Sequence, residues 1–334
     1  MSPADLVGGA ILAALVLYAL FGGADFGGGI WDLLASGARK REQRALVEQA
    51  IGPIWEANHV WLILVVVLLF TAFPPAFAAI SVELFAPLLL LLVGIVLRGA
   101  AFTFRAYDRP DDRVKARWGV LFSASSVLAP VFLGVAVGAL ASGRLGAGAR
   151  GASLAWAGPF PAVVGLFAAA LFAYLAATYL AVEATGPLQE DFRRRAEGAA
   201  VVALLLAALA AAVSRAEAPV VFEGLTRRPW SAPLVGGTAV AAAVAFVALR
   251  RGRVRLARAA AAIQVALIVA GWGAAQHPYL VVPGVTLASA SAPRAVQVAV
   301  LWALAAGSVL LFPALYLLFR IFKGERPFSV IERK

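Results

Sequence analysis

The sequence LFAPLLLLLVGIV, residues 84–96, decides the fold class, because it presents no polar side chain on any face. A second run of this kind, LILVVVLLF, occupies residues 62–70. Helices of roughly 20 apolar residues cross a ~30 Å hydrocarbon core, whereas the strands of a membrane barrel alternate apolar and polar residues over about 10 positions. Runs that are apolar on every side therefore predict membrane-spanning helices and exclude a barrel.

The composition of the whole chain indicates the same class. Of the 334 residues, 62% are hydrophobic and 14% are charged, and the mean hydropathy is +0.88. A soluble domain carries about 25% charged residues. The chain has no cysteine, which excludes disulfides, zinc–thiolate sites and thiol catalysis. With two histidines and the single methionine Met1, it is also poor in haem and copper ligands.

Positive charge is distributed in a way that predicts the topology. The chain has 29 Lys and Arg residues against 18 Asp and Glu residues, a net charge of +11. Most of the basic residues lie in alternate connections between apolar segments. This clustering is typical of a membrane protein and not of a nucleic-acid surface, so no nucleic-acid partner is expected. The positive-inside rule then predicts an outside N-terminus and a cytoplasmic C-terminus. The predicted spans are residues 5–34, 54–73, 77–104, 117–141, 159–184, 198–214, 232–249, 257–275 and 295–319.

We expect an all-α membrane protein with nine transmembrane helices, arranged as two four-helix bundles plus one peripheral helix. A Gly-rich connection separates the first four spans from the next four. The predicted units are an N-terminal bundle at residues 1–141, a C-terminal bundle at 159–275, and the ninth helix with a cytoplasmic tail at 295–334. The connections are too short for a soluble core, so function is expected within the membrane or at its surfaces, in contact with membrane lipid.

Ionisable side chains at membrane depth are costly, and each is therefore a candidate for function. The first span contains GGADFGGGIWD, residues 22–32, in which five glycines surround Asp25. Small residues are the usual contact surface between membrane helices, so the glycines alone are explained equally well by close packing. Packing does not require a carboxylate, which makes Asp25 the stronger functional candidate.

The second span opens with IGPIWEANHVW, residues 51–61, and carries a second group of polar candidates. Glu56 and His59 are three residues apart and share a helix face, with Trp55 and Trp61 on either side.

Two arginines of the third span, Arg98 and Arg105, lie seven residues apart toward its cytoplasmic end. We expect them to form one polar cluster near the inner face with Asp25 and Glu56. Such a cluster can act as a proton entry route, in which carboxylates exchange protons with their neighbours. The alternative is a set of interfacial ion pairs that only holds the helices together.

These motifs, together with FP at 73–74 and LRGAAFTFR at 97–105, resemble subunit II of the cytochrome bd-type quinol oxidases, including the cyanide-insensitive oxidase branch. Their order and spacing match over the first 120 residues, and the remaining spans match as architecture. The resemblance implies a heterodimer in the bacterial cytoplasmic membrane that reduces oxygen to water with electrons from quinol and protons from the cytoplasm. It also implies that haems b and d belong to the partner, subunit I. This chain alone would bind no cofactor, with a structural quinone or lipid left open.

The resemblance assigns roles to individual residues. Glu56 matches the acid of the family's Trp-acid pair, which is implicated in delivering protons toward the haems, and Asp25 matches the acid of its Gly-x-Asp motif. Both are therefore expected in the proton pathway. The residues expected at the subunit interface or along a substrate channel are Trp55, His59, Trp61, Arg98 and Arg105.

Two other function classes fit parts of the sequence. A secondary transporter also has paired bundles and a glycine-interrupted helix with an acid, although carrier sites lie near the bilayer midplane and recur in both halves. A membrane scaffold that only stabilises a partner would have the same composition.

Overall fold

The structure, a computed structural model, describes residues 2–51, 58–107, 112–145 and 154–323. These residues form twelve helices and one two-stranded antiparallel sheet. The elements are α1 Pro3–Leu33, α2 Lys40–Ile51, α3 Val60–Ala72, α4 Pro74–Glu83, α5 Phe85–Tyr107, α6 Asp112–Ala141, α7 Pro159–Glu183, α8 Gly186–Glu217, α9 Pro219–Arg227, α10 Ser231–Arg250, α11 Val254–Gln276, β1 Tyr279–Val281, β2 Val285–Thr286 and α12 Arg294–Lys323.

Within the described ranges, eight helices are long and apolar enough to cross a membrane. The count rises to nine if α3 and α4, which meet at an angle of 120°, are taken as one broken span. The all-α membrane class is therefore confirmed, and the expected nine spans agree with the upper count.

The predicted span at 77–104 is wrong at its start. α4 ends at Glu83 and α5 begins at Phe85, so the third long span is Phe85–Arg105. Apolar residues continue on both sides of Glu83, so hydropathy merged the two helices, although Pro87 in the first turn of α5 is compatible with a helix start. Three predicted connections also contain regular structure, namely α2, α9 and the β1–β2 hairpin.

Helix α1 lies at the centre of the molecule and packs against α3, α6, α7 and α11. Its glycines allow this close approach. A Cβ atom added at Gly27 would lie 2.0 Å from the main-chain oxygen of Phe172 on α7, and one at Gly29 would lie 2.0 Å from the Oγ of Ser126 on α6. The structure therefore supports the close-packing interpretation of the Gly-rich segment.

The largest buried cluster includes residues from both predicted bundles. α1 and α7 are the first helices of these two units, and they touch directly: the Nε1 of Trp31 donates a hydrogen bond to the carbonyl of Ala173 at 2.7 Å. The division into units at 1–141 and 159–275 stays a prediction.

Helix α12 lies at the periphery, and none of its most apolar segment is buried. It is joined to the bend between α3 and α4 at one carbonyl, that of Ala72. This oxygen accepts hydrogen bonds from the Gln297 side chain at 2.6 Å and from the Ala292 main-chain N–H at 2.9 Å.

Candidate functional site

Asp25 is buried on α1, where only 3% of its surface is exposed. The Nδ2 of Asn58, two residues before the start of α3, donates a hydrogen bond to the Asp25 Oδ2 at 2.6 Å. The Nη2 of Arg98, on α5, donates a hydrogen bond to the main-chain oxygen of Asp25 at 3.2 Å. Three elements therefore meet at Asp25.

Arg98 is the largest of the almost fully buried side chains, with 1% of its surface exposed. Its guanidinium carbon lies 5.2 Å from the ring centroids of both Phe26 and Phe122. The two rings stabilise the cation by cation–π attraction in a place with little access to water. The Nε atom of Arg98 has no hydrogen-bond partner among the described residues.

Tyr18 and His59 continue this group toward the start of α1. The Tyr18 ring lies 6.0 Å from the His59 ring and 6.4 Å from the Phe26 ring, measured between centroids, and His59 lies 5.9 Å from Phe26. Tyr18 has no exposed surface. Within the described ranges, its hydroxyl has no hydrogen-bond partner.

A second buried carboxylate, Asp32, lies nearer the end of α1. Its Oδ2 accepts a hydrogen bond from the Ser123 hydroxyl at 2.8 Å, and its Oδ1 accepts one from Arg105 Nη1 at 3.2 Å. Arg105 Nη2 also lies 3.4 Å from the Glu48 carboxylate on α2. Arg105 thus has the contacts of a structural ion pair that connects α1, α2 and α5.

The two acids and the two arginines follow the same spacing. Asp25 and Asp32 are seven residues apart on α1, and Arg98 and Arg105 are seven apart on α5, which corresponds to two helical turns or about 10.5 Å. The described residues of the expected polar cluster therefore form two groups, Asp25 with Arg98 and Asp32 with Arg105.

Asp32 and Asn58 were not predicted as site residues, although both lie within the quoted motifs. The matched seven-residue spacing on two helices was the signal that could have identified Asp32.

The remaining predicted site residues have different outcomes. Trp61 is buried in the main core with 5% of its surface exposed. Trp55 and Glu56 lie at 52–57, outside the described residues. Among the residues that are described, no three His, Cys, Asp or Glu side chains come together as a metal site would require.

A polar groove lies beyond the end of α1, between α2 and α8. Arg39 Nε donates a hydrogen bond to the Asp191 carboxylate at 2.7 Å, and Gln43 Nε2 donates to the same carboxylate at 3.1 Å. This pairing raises the pKa of the Arg39 guanidinium. The guanidinium of Arg195 lies 5.4 Å from the ring centroid of Trp31. These hydrogen bonds to Asp191 hold α2 and the residue before it against α8.

Replacing Asp32 with asparagine is expected to destabilise the protein by about 2 kcal/mol, because Arg105, which is largely buried, would lose its buried carboxylate partner and keep only the more exposed Glu48. Thermal unfolding of the purified protein measures the change. Glu223→Gln is the control, since its pair with Arg227 is exposed and should contribute almost nothing. Equal unfolding midpoints for Asp32→Asn and wild type would contradict the assignment of Asp32 and Arg105 as a structural ion pair.

The Asp25 group combines a carboxylate, an imidazole and a phenol hydroxyl in a region closed to bulk water. All three can accept and release protons, and a buried guanidinium next to them can stabilise negative charge. The arrangement is suited to holding and passing protons.

Comparison with known proteins identifies close counterparts of this fold. The sequence model of the family described as cytochrome bd terminal oxidase subunit II matches residues 4–322. Cytochrome bd-I ubiquinol oxidase subunit 2 of Escherichia coli strain K12 is 28% identical over 204 residues, 59% of this chain and 53% of that protein. The chain therefore spans about half the length of that relative.

Two further comparisons cover almost the whole chain. The putative cytochrome bd menaquinol oxidase subunit II of Bacillus subtilis strain 168 is 22% identical over 320 residues, 93% of this chain and 92% of that protein. The solved structure of bd oxidase from Geobacillus thermodenitrificans contains a chain with a TM-score of 0.80 and 22% identity, over 97% of this chain and 99% of that one. The latter comparison establishes a shared fold.

Proposed function

Because this chain belongs to the cytochrome bd terminal oxidase subunit II family, we propose that it is the subunit of a respiratory quinol oxidase that carries no haem. In this proposal it stabilises a haem-bearing subunit I and delivers cytoplasmic protons for the reduction of oxygen to water. Quinol is the substrate of the whole complex, and a quinone or lipid can occupy this subunit as a structural component. The family membership favours this function over a secondary transporter.

The observation that carries the proton-delivery part is the buried Asp25 group. Asp25 has 3% of its surface exposed, yet it lies next to Asn58 and Arg98, and Tyr18 and His59 lie beyond it. A buried carboxylate in a membrane helix is costly unless it is used or paired. Here the Asn58 amide donates to the carboxylate and Arg98 donates to the main-chain oxygen of the same residue, so that Asp25 is held in position for the proposed exchange of protons.

The two histidines of this chain are too far apart to ligate one haem together. His277 lies 3.9 Å from Asp5 at the start of α1, whereas His59 lies between Tyr18 and Phe26, at least 13 residues farther along that helix. This separation is about 20 Å, so the two histidines cannot ligate one iron. The proposal therefore places the haems in the partner, and this chain contributes no axial ligand.

The location follows from the apolar helices and the bacterial relatives, which indicate a bacterial membrane protein. We propose that its N-terminus is outside and its C-terminus cytoplasmic, as the distribution of Lys and Arg favours. In that orientation Asp25 and Asp32 lie toward the cytoplasmic end of α1. In this proposal protons enter from the cytoplasm at that end of α1.

Purification tests the proposed function. When expressed from its own operon in a bacterial membrane, the chain is expected to copurify with a haem-bearing polypeptide, and the complex is expected to oxidise quinol with oxygen. Expressed alone, it should show no Soret absorption band. A stoichiometric haem in the isolated chain, or a complex without quinol oxidase activity, would contradict the proposal.

A further inference from the structure

Three buried polar residues form a line along one face of α1. Tyr18, Asp25 and Asp32 are spaced by seven residues, and their exposed fractions are 0%, 3% and 0%. Residues seven apart lie within about 20° of the same helix face. The line therefore extends about 21 Å along the helix, from near its predicted cytoplasmic end to near the middle of the membrane.

The lower end of this line is fixed by charge. Asp32 is paired with Arg105 and accepts a hydrogen bond from Ser123. An acid held in this way has a compensating cation at hydrogen-bond distance and serves as an anchor for the helices. The part of the line that is suited to proton exchange lies between Asp25 and Tyr18.

The upper end contains two polar atoms that lack a hydrogen-bond partner in the described part of the chain, the Tyr18 hydroxyl and the Arg98 Nε. Both side chains are essentially unexposed. The Tyr18 ring lies 6.4 Å from the Phe26 ring, and the Arg98 guanidinium carbon lies 5.2 Å from it, so both side chains share one small region beside Phe26, next to Asp25. Buried donors and acceptors are almost always satisfied, and a water molecule with several polar partners is a common solution.

We propose that Tyr18 is a further residue of the proton route, acting with a water molecule held between its hydroxyl and the Arg98 Nε. This inference rests on the proposed function, and it adds the next step after Asp25 toward the middle of the membrane. Asp25 transfers its proton to the water while the water passes one of its own protons to the oxygen of Tyr18, and Tyr18 releases its hydroxyl proton to the next acceptor toward subunit I. This restores the water and Tyr18, Asp25 is then reprotonated from the cytoplasmic side, and no electron moves.

The chemistry of these side chains suits this role. A phenol hydroxyl donates one hydrogen bond and accepts others, so it can relay a proton without ionising. Arg98 carries a permanent positive charge, and its Nε can only donate, which orients the oxygen of the water toward Arg98. One hydrogen of the water then points to Tyr18, and its second lone pair can accept the proton of Asp25.

Tyr18→Phe in the intact complex tests the proposal, because it removes the hydroxyl and keeps the ring that packs against His59 and Phe26. Quinol-supported oxygen uptake is expected to fall about tenfold, with the haem spectrum and complex yield unchanged. The solvent deuterium isotope effect on oxygen uptake should rise, since proton transfer becomes limiting. A packing defect would not raise it.

The matched control is Tyr174→Phe, which removes a hydroxyl from a tyrosine on α7 that is also buried, with 1% of its surface exposed. This variant should keep the wild-type rate and isotope effect. Wild-type values for Tyr18→Phe would overturn the role of Tyr18 while the wild-type complex still oxidises quinol. A wild-type complex that does not oxidise quinol would instead overturn the proposed function.

Discussion

Replacing Asp25 with asparagine is expected to lower quinol-supported oxygen uptake about a hundredfold in the assembled complex, because asparagine cannot release a proton. The substitution keeps the size of the side chain, and its amide oxygen can still accept the hydrogen bond that Asn58 donates at 2.6 Å. Assembly and the haem spectrum should therefore remain normal. Oxygen-electrode measurements with saturating quinol determine the rate.

The control for Asp25→Asn is the same change at Asp5, on the same helix. Asp5 caps the start of α1 through Ser2, and asparagine is compatible with a helix start. Asp5→Asn should leave oxygen uptake unchanged. An Asp25→Asn complex with a rate near that of wild type would remove Asp25 from the proton route.

Glu56→Ala is expected to lower the rate of quinol-supported oxygen uptake at least tenfold, as the resemblance of the Trp55-Glu56 pair implies.

The second large effect is expected at Gly27, where substitution by valine should prevent stable folding. A Cβ atom at this position would lie 2.0 Å from the Phe172 carbonyl oxygen and 2.6 Å from the Ala176 Cβ. Both neighbours belong to the rigid helix α7, so α1 and α7 must separate, at a cost of at least about 3 kcal/mol. The yield of purified complex and its thermal unfolding midpoint measure the loss.

Gly9→Val serves as the comparison for Gly27→Val. Gly9 lies on the same helix, and a Cβ atom there would meet no atom within 4 Å. This variant should be purified in wild-type amounts, because valine is well tolerated on the lipid-facing side of a membrane helix. Normal yield and stability for Gly27→Val would show that the contact between α1 and α7 is not required for the fold.

Hydropathy predicted most of the fold because the apolar spans are long and their charged ends are sharp. α7, at Pro159–Glu183, agrees with its predicted span almost to the residue. The short helices were missed for a physical reason. α2 and α9 are too short or too polar to register as spans, and only packing against the membrane helices makes them helical.

The candidate site could be predicted in part. Asp25 was identified because a carboxylate within an apolar helix is conspicuous, and Arg98 because it lies within the third span. Tyr18 was not, since a tyrosine in an apolar helix carries no charge and looks like any core aromatic. Its position relative to Arg98 depends on how α1 and α5 are rotated about their axes, which one sequence does not specify.

The junction at Ala72 has a consequence for biogenesis. The carbonyl at this bend obtains both of its hydrogen-bond donors from Ala292 and Gln297, which leave the ribosome more than 200 residues later. During synthesis the nascent chain therefore holds an unsatisfied buried acceptor, which costs about 1–3 kcal/mol until the last helix is inserted. Insertion of α12 therefore supplies the hydrogen-bond donors that the bend between α3 and α4 lacks until then.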